Sequence, residues 1–465
     1  AVAVDANLSL TNEVKVYEAT LTATNVVIRD NMKIVDKLLV NSETLTVDGT
    51  LNFTMRDIND SPYNTGQYYW NKSVTPDLTH FTNNGTILIA GPLNLGHDMD
   101  RGYEAIVNNG TIDTYEMWLK SAYMEHSGQI HSRESVYMDA DSIYFKGGNI
   151  NATNSMFITA DNIKYNHHTN RVNHRLVWNI ANSITDANEN SEVLLEVYEG
   201  IELKQKPAFG DLLGTRIRLV STNYIRQANY WFSDDRGVDT AGYKNNAAVG
   251  RLILKHATAR FPDDSSRILF KNNTNEKHAI YVDYLEFEDY SQIDYDNNGL
   301  YFLKIDENYT IYYAASNLDE EKLDGALDGR LKWVNQYAGL NSSVPIYIKG
   351  LDRTVNVNRG LRFSKIIDSD DDGTANGYDI SPFGDGVPSI LNVRLEGDES
   401  TNISIKWLLI PDSRYTIQYK EDIDEAGWKT LKEFYYSDNE IKYMEFKDRV
   451  SRKNKARYYR IKYSG

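Results

Sequence analysis

Along residues 135–145, SVYMDADSIYF, apolar side chains fall at Val136, Met138 and Ala140 and then, past Asp141-Ser142, at Ile143 and Phe145. Alternation with period two is the mark of a strand, and the switch from even to odd positions predicts a corner between two short strands. Twenty positions later SMFITADNIKY, residues 155–165, repeats the pattern without a gap. Val136 aligns with Met156, Met138 with Ile158, Ala140 with Ala160, Ile143 with Ile163 and Phe145 with Tyr165.

A turn phrase recurs on a similar period: DGTL at 48, NGTI at 84, NGTI at 109, SGQI at 127 and GGNI at 147. Its closing apolar residues, Leu51, Ile87, Ile112, Ile130 and Ile150, are 36, 25, 18 and 20 positions apart. Coils of about 18 to 25 residues with Gly/Asn corners predict a parallel β-solenoid over 1–175. The long first step holds an excursion that carries the ring-rich QYYW, Gln67 to Trp70. At the start, Val2, Val4, Ala6, Leu8 and Leu10 share one strand face, suited to capping the first coil or to pairing with a neighbouring molecule.

Beyond about 176 the period fades. VLLEVY, TRIRLV, RLILKHA, AIYVDYLEF, LYFLKI and YTIYYAA predict a middle β domain over 176–365, an antiparallel sandwich, with one helix at NLDEEKLDGAL capped by Asn317. Residues 389–465 contain six or seven short alternating strands with Trp407 placed to fill the centre, the pattern of a fibronectin-III-like sandwich. The fold class expected is therefore all-β.

Composition narrows the chemistry. The 465 residues include 33 Tyr and no Cys, which excludes disulfides, thiol nucleophiles and thiolate metal sites. A formal net charge of −16 argues against nucleic acid as a partner. The exception is the C-terminal stretch from Ile441, with nine Lys/Arg against two acids, which reads as a solvated face or as a docking patch for an acidic partner. No apolar run is long enough to predict a membrane span. The opening AVAVDANLSL reads as a mature sequence after removal of a signal peptide.

Residues 366–388 form a linker around DSDDDGTANGYD, which fits D-x-D-x-D-G-x-x-N-x-x-D. Alternate residues of a tight loop deliver oxygens to one centre, as a calcium-sized cation requires. Asp368, Asp370, Asp372, the Thr374 carbonyl, Asn376 and Asp379 are the expected Ca2+ ligands, with Gly373 at the sharp turn. The pattern resembles the calcium loops of dockerins and thrombospondin type 3 repeats. DYDNNG at 294–299 starts similarly but has Ile305 at its twelfth position, and reads as a turn.

Taken in order, PAFGDLLGTRI (207–217), SDDRGVDTAGYKNNAAVGRL (233–252), YVDYLEF (281–287), LDGALDGRLKWVNQYAG (323–339), the DxDxDG stretch and the closing ARYYRIKYSG resemble large secreted bacterial proteins with an N-terminal β-helix. The resemblance covers roughly 176–465 by motif. It implies an extracellular or cell-surface location and supplies no catalytic residues.

Parallel β-helices often carry polysaccharide lyases and glycosidases, so acids need weighing. Asp234, Asp235 and Asp239 with Arg236, and the corner pair Asp141 and Asp161, are the candidates, against a structural reading in which they form turns. His126 and His131, or His167 and His168, could share one side of a coil, but no metal-binding or nucleophile phrase accompanies them. Sequons at Asn7, Asn52, Asn59, Asn71, Asn84, Asn109, Asn151, Asn272, Asn308, Asn341 and Asn402 partly coincide with coil corners, where Asn is wanted for its turn geometry. The sequence thus points to a secreted structural or adhesive protein with structural calcium. It is expected to assemble head-to-tail into a homo-polymer, a filament or surface layer. A carbohydrate-active enzyme and an adhesin for surface glycans are the alternatives.

Overall fold

The computed structural model describes residues 2–3, 7–53, 79–96, 102–186, 193–221, 227–256, 267–338, 341–348, 353–359, 364, 376, 390–396, 402–409, 413–422, 427–436, 442–449 and 457–464. The chain forms two units, Ala1–Ile367 and Asp368–Gly465.

The first unit is a parallel β-solenoid built from a 15-stranded and a 14-stranded sheet, each joining every coil to the next. A well-formed coil has one short and one long strand, as in Gln129–Ser132 followed by Val136–Phe145. Val136 pairs with Met156, Met138 with Ile158, Ala140 with Ala160, Ile143 with Ile163 and Phe145 with Tyr165. The alignment read from sequence is therefore the physical register. The corner expected at Asp141-Ser142 is a bend inside one continuous strand, where two successive side chains turn away from the core.

Inside, identical positions stack into columns. Leu8, Val26, Leu45, Phe81, Ile106, Met124, Ile143, Ile163 and Ile184 pair in succession and are all buried. In the other sheet the column runs from Met32 through Leu51, Ile87, Ile112, Ile130 and Ile150, the last five being the closing residues of the turn phrase. With a strand spacing of about 4.8 Å, fifteen strands extend roughly 65 Å along the solenoid axis.

One corner is a backbone stack. A Cβ on Gly85 would lie 1.9 Å from the Gly49 carbonyl oxygen, on Gly110 2.0 Å from that of Gly85, and on Gly128 2.0 Å from that of Gly110. Outside this stack the side chains form a polar ladder: the Asn84 amide donates to Asp48, the Asn109 amide to Asn84 and the Ser127 hydroxyl to Asn109, at 2.7–2.9 Å. The Gly/Asn phrase thus encodes close backbone approach on its Gly and lateral hydrogen bonding on its Asn.

The middle of the chain departs from expectation. Strands Val193–Val197, Leu212–Val220, Val249–Lys255, His278–Glu288 and Tyr309–Ser316 pair in parallel and continue the same sheet, so they form further coils where an antiparallel sandwich was expected. Two physical changes hide the repeat. Successive register partners Asn170, Leu195, Ile217, Leu252 and Leu285 lie 25, 22, 35 and 33 residues apart, because loops are inserted between strands. The outer sheet face is also covered, by a second apolar cluster that includes Leu213, Tyr243, Tyr281, Tyr284, Tyr312 and Val334. A strand buried on both faces loses its alternation.

Several charges on this covered face are paired. The Arg218 guanidinium donates to Glu196 at 2.6 Å and twice to Glu288 at 2.7 Å, Lys255 donates to Glu288 at 2.9 Å, and Arg251 pairs with Glu286. At the end of the solenoid Leu318, Leu323 and Leu331 are buried in the main core, and partly buried Ala326 and Leu327 pack against it. Asp319, rather than Asn317, caps the short helix Glu320–Leu323; Asn317 instead exchanges hydrogen bonds with the Phe287 backbone at 2.9 Å. DYDNNG, expected to be a turn, lies in the helix Gln292–Asn298 with a Ser291/Asp294 capping box and Gly299 at its C-terminus.

The second unit has two three-stranded antiparallel sheets. One runs Ile390–Glu396, Asn402–Leu409, Lys442–Arg449, and the other Lys429–Tyr436, Ser413–Lys420, Tyr458–Ser464. Buried Ile405, Trp407 and Leu409 of one sheet cluster with Tyr415, Ile417 and Ile461 of the other, the packing of a sandwich. In the basic C-terminal stretch, Arg457 is committed internally, paired with Asp448 at 2.5 Å and lying 4.2 Å over the Tyr419 ring.

The glycine stack yields a paired test. Gly110→Ala should destabilise the first unit by about 2–3 kcal/mol, since the rigid carbonyl below cannot yield. Gly147→Ala, whose Cβ would meet nothing nearer than 3.8 Å, should change stability by less than about 0.5 kcal/mol. Denaturant unfolding of the two variants checks this; equal effects would show that the corner contact is not limiting.

Candidate functional site

The acids weighed from sequence are distributed among structural tasks. In SDDRGVD, Asp234 forms ion pairs with Lys206 and Arg236. Desolvation pushes its carboxyl up, but the hydrogen bonds from those two cations outweigh it and hold the group below its ordinary range. Asp235 accepts the Tyr312 hydroxyl at 2.7 Å, and Asp239 caps a short 3-10 helix by accepting the Ala241 N–H at 2.8 Å. Arg236 donates to the Ala241 and Lys244 carbonyls at 2.8 and 2.7 Å. The loop is further anchored by Asp211, whose carboxylate accepts the N–H groups of Asn245, Asn246 and Ala248 at 2.7–2.9 Å. These groups lock the loop over the aromatic cluster. Asp141 and Asp161 occupy the same bend in adjacent coils and are exposed.

The histidine pairs are split by the wall of the coil. His131 is exposed beside Asp113 at 3.7 Å, while His126 is buried in the core. His167 is exposed and His168 fully buried. The inner two belong to one polar ladder. Asn83 donates to Asn108 at 2.7 Å, Asn108 contacts His126 at 3.1 Å, and His168 bonds the Gly147 carbonyl at 2.8 Å and Asn170 at 2.7 Å. Their rings sit 5.4 Å apart, in an aromatic stack with Phe145 and Tyr165. Asn170 stands in register with Ile150, so this partnership keeps a polar residue in an otherwise apolar column.

Among the described residues no group of three or more His, Cys, Asp or Glu is arranged to hold a metal. Of the expected calcium ligands, Asn376 is a buried turn residue, and Asp368, Asp370, Asp372, Thr374 and Asp379 lie outside the described residues. QYYW lies outside them as well. Another aromatic row, Trp118, Tyr137 and Phe157, runs along the outside of the long strands with rings 5.5 and 5.0 Å apart and 6° from parallel. Neighbouring rings cover each other's faces there, leaving mainly edges to solvent.

What sequence reading missed is a polar cleft at the last coils. Two adjoining hollows, of 530 and 470 Å3, share Asn272, Asn273, Lys304 and Asp306. Lys304 projects outward from the strand Leu303–Ile305, whose other two side chains are buried. It is in register with Leu269, which pairs in turn with Ala228. Tyr230 and Lys271 line one hollow, and Arg330 the other. Asn272 fastens the cleft: its N–H donates to Asp306 at 3.2 Å, its amide to the Glu276 and Asn308 carbonyls, and its oxygen accepts from Thr274. The only sequence signal was the density of polar residues in KNNTNEK and KIDEN, which is also the signature of an ordinary loop.

No family model, no curated protein and no solved structure matches this chain. The class defined by its own geometry is a two-sheeted parallel β-solenoid carrying an antiparallel β-sandwich unit.

The buried histidines make stability depend on pH. Desolvation, reinforced by the neighbouring His168, lowers His126 to about 3, and desolvation lowers His168 to about 4. Each folded pKa lies below the unfolded value of about 6.5, so the unfolded chain binds more protons in acid. Their contribution is complete above pH 6.5 and is lost progressively as pH falls toward 4 and 3, by about 3–5 kcal/mol per histidine. Unfolding free energy measured between pH 7.5 and 4 should fall steeply in the wild type and less in His126→Gln/His168→Gln; identical slopes would exclude these two groups as the cause.

Proposed function

We propose that the chain is an extracellular structural and adhesive protein, a rigid solenoid that holds a recognition surface outside the cell. The observation that carries this reading is the division of labour among its polar groups. The acids of the SDDRGVD loop are tied to fold contacts, whereas the cleft at the last coils leaves amides, cations and a tyrosine open to solvent. That distribution favours binding over turnover. The glycoside-cleaving alternative needs two carboxylates facing each other at about 5–9.5 Å across a groove. Asp306 and Glu307 in the cleft are consecutive in the chain, and Asp306 already accepts the Asn272 N–H.

Secretion is supported by the resemblance of the motif order to secreted bacterial β-helix proteins. Structural Ca2+ on Asp368, Asp370, Asp372, Thr374, Asn376 and Asp379 is part of the proposal, as is a fibronectin-III-like character for the sandwich unit. Head-to-tail assembly through the solenoid ends, expected from the sequence, meets one obstacle. Leu318 and Leu323 close the core at the far end, where a head-to-tail filament would need an open apolar edge.

Immunogold labelling of intact source cells should place the protein on the surface, and labelling confined to the cell interior would overturn the reading. Millimolar calcium should raise the stability of the DSDDDG loop by about 0.4–1.4 kcal/mol. EGTA should then sensitise 368–388 to protease while leaving the solenoid intact; digestion unchanged by EGTA removes calcium from the proposal.

A further inference from the structure

The cleft at the last coils has a chemistry that specifies more than adhesion in general. It carries three cations, Lys271, Lys304 and Arg330, on a chain whose formal net charge is −16. Elsewhere on the solenoid many exposed cations face a carboxylate: Arg133 meets Asp113, Lys146 meets Glu125 and Lys322 meets Asp296. Lys271 and Lys304 make no ion pair among the described residues, and Arg330 reaches only the highly exposed Asp328, at 3.3 Å.

The rest of the lining is hydroxyl-matching. Asn273, Thr274 and Asn275 are exposed at the rim, and Asp306 and Glu307 offer carboxylate oxygens as acceptors. Tyr230 adds a half-buried ring to one wall. A volume near 500 Å3 falls within the usual range of about 300–1,000 Å3 for small-molecule sites. An apolar ligand finds only a minor part of its wall apolar here, from Tyr230, Leu269 and Ile305. A nucleic acid or another dense polyanion is opposed by the net charge of the whole chain. A short saccharide bearing carboxylates satisfies all the groups: acid to ammonium, hydroxyls to amides and carboxylates, and a ring face to tyrosine.

We propose that the cleft formed by Tyr230, Lys271, Asn272–Asn275, Lys304–Asn308 and Arg330 binds short acidic saccharides of the uronic-acid class, with Lys271 and Lys304 holding the sugar carboxylate. The inference rests on the adhesive reading, to which it adds the ligand class and the site. Asn272 is a framework residue in this site, because its amide is already spent on two carbonyls.

Calorimetric titration of the full chain with trigalacturonic acid tests it, with maltotriose as the neutral control. Expected are binding of the acidic trimer that weakens with salt, at least tenfold weaker binding of maltotriose, and at least tenfold loss of the acidic trimer in Lys271→Glu/Lys304→Glu. Lys271→Arg/Lys304→Arg should retain binding within about threefold. Both lysines are outside the core, so unchanged circular dichroism will show that the variants fold. Equal affinity for both trimers, no binding of either, or full binding by the charge-reversed variant each overturns the site. A surface-labelled protein that binds no saccharide removes the site and leaves the adhesive reading; a saccharide-binding protein confined to the cell interior removes the adhesive reading and leaves the site.

Discussion

Coil stacked on coil at about 4.8 Å brings backbone against backbone at one corner, and this contact admits no side chain. The glycines at 49, 85, 110, 128 and 148 all sit where a Cβ would lie 1.8–2.4 Å from a carbonyl oxygen of the preceding coil. Because the corner fixes where each coil begins, it fixes the register of the strand that follows. Register in turn decides which side chains enter the core, since a one-residue slip in a strand would turn Ile112, Ile130 and Ile150 outward. The apolar columns provide the driving force, and the glycine corner provides the alignment that lets them use it.

This division explains how much of the fold was legible in the sequence. The repeat at 135–165 could be read residue by residue because the corner, the alternation and the coil length all persist there. The corner phrase ends with GGNI at 147, and past 193 the outer face is buried as well, so both periodic signals have vanished while the parallel pairing continues. His278–Glu288, with all but its first residue buried, reads as a core strand of any architecture. Strand identity was therefore recoverable and strand direction was not, because direction depends on loops whose length and sequence carry no period.

The candidate sites show the same limit from the other side. Sequence isolated the SDDRGVD acids for their density, yet each is joined to a group distant along the chain or to a local backbone turn: Lys206, Tyr312 and the Ala241 N–H. Density of carboxylates cannot reveal whether their partners are water, backbone or a distant phenol. The histidines make the point more sharply, for His167 and His168 are neighbours in sequence yet lie on opposite sides of the coil wall. A tight corner between two strands, with His167 at φ 47°, separates adjacent residues as effectively as a domain boundary would.

The polar cleft was invisible for a structural reason. Its walls come from segments around 230, 271–275, 304–308 and 330, brought side by side only by the stacking of long coils. In a solenoid any outward column of a sheet becomes a continuous surface, and the register Ala228, Leu269, Lys304 shows how one changes from apolar to charged over three coils. Such a surface can change without disturbing the core, because outward positions carry no part of the alignment set at the glycine corner. Loop insertions concentrate in the coils after 193 for the same reason: there the covered outer face, with its paired charges and aromatic cluster, holds the coils together after the glycine stack has ended. The polar cleft thus lies where the fold relies least on periodic sequence and most on specific polar contacts.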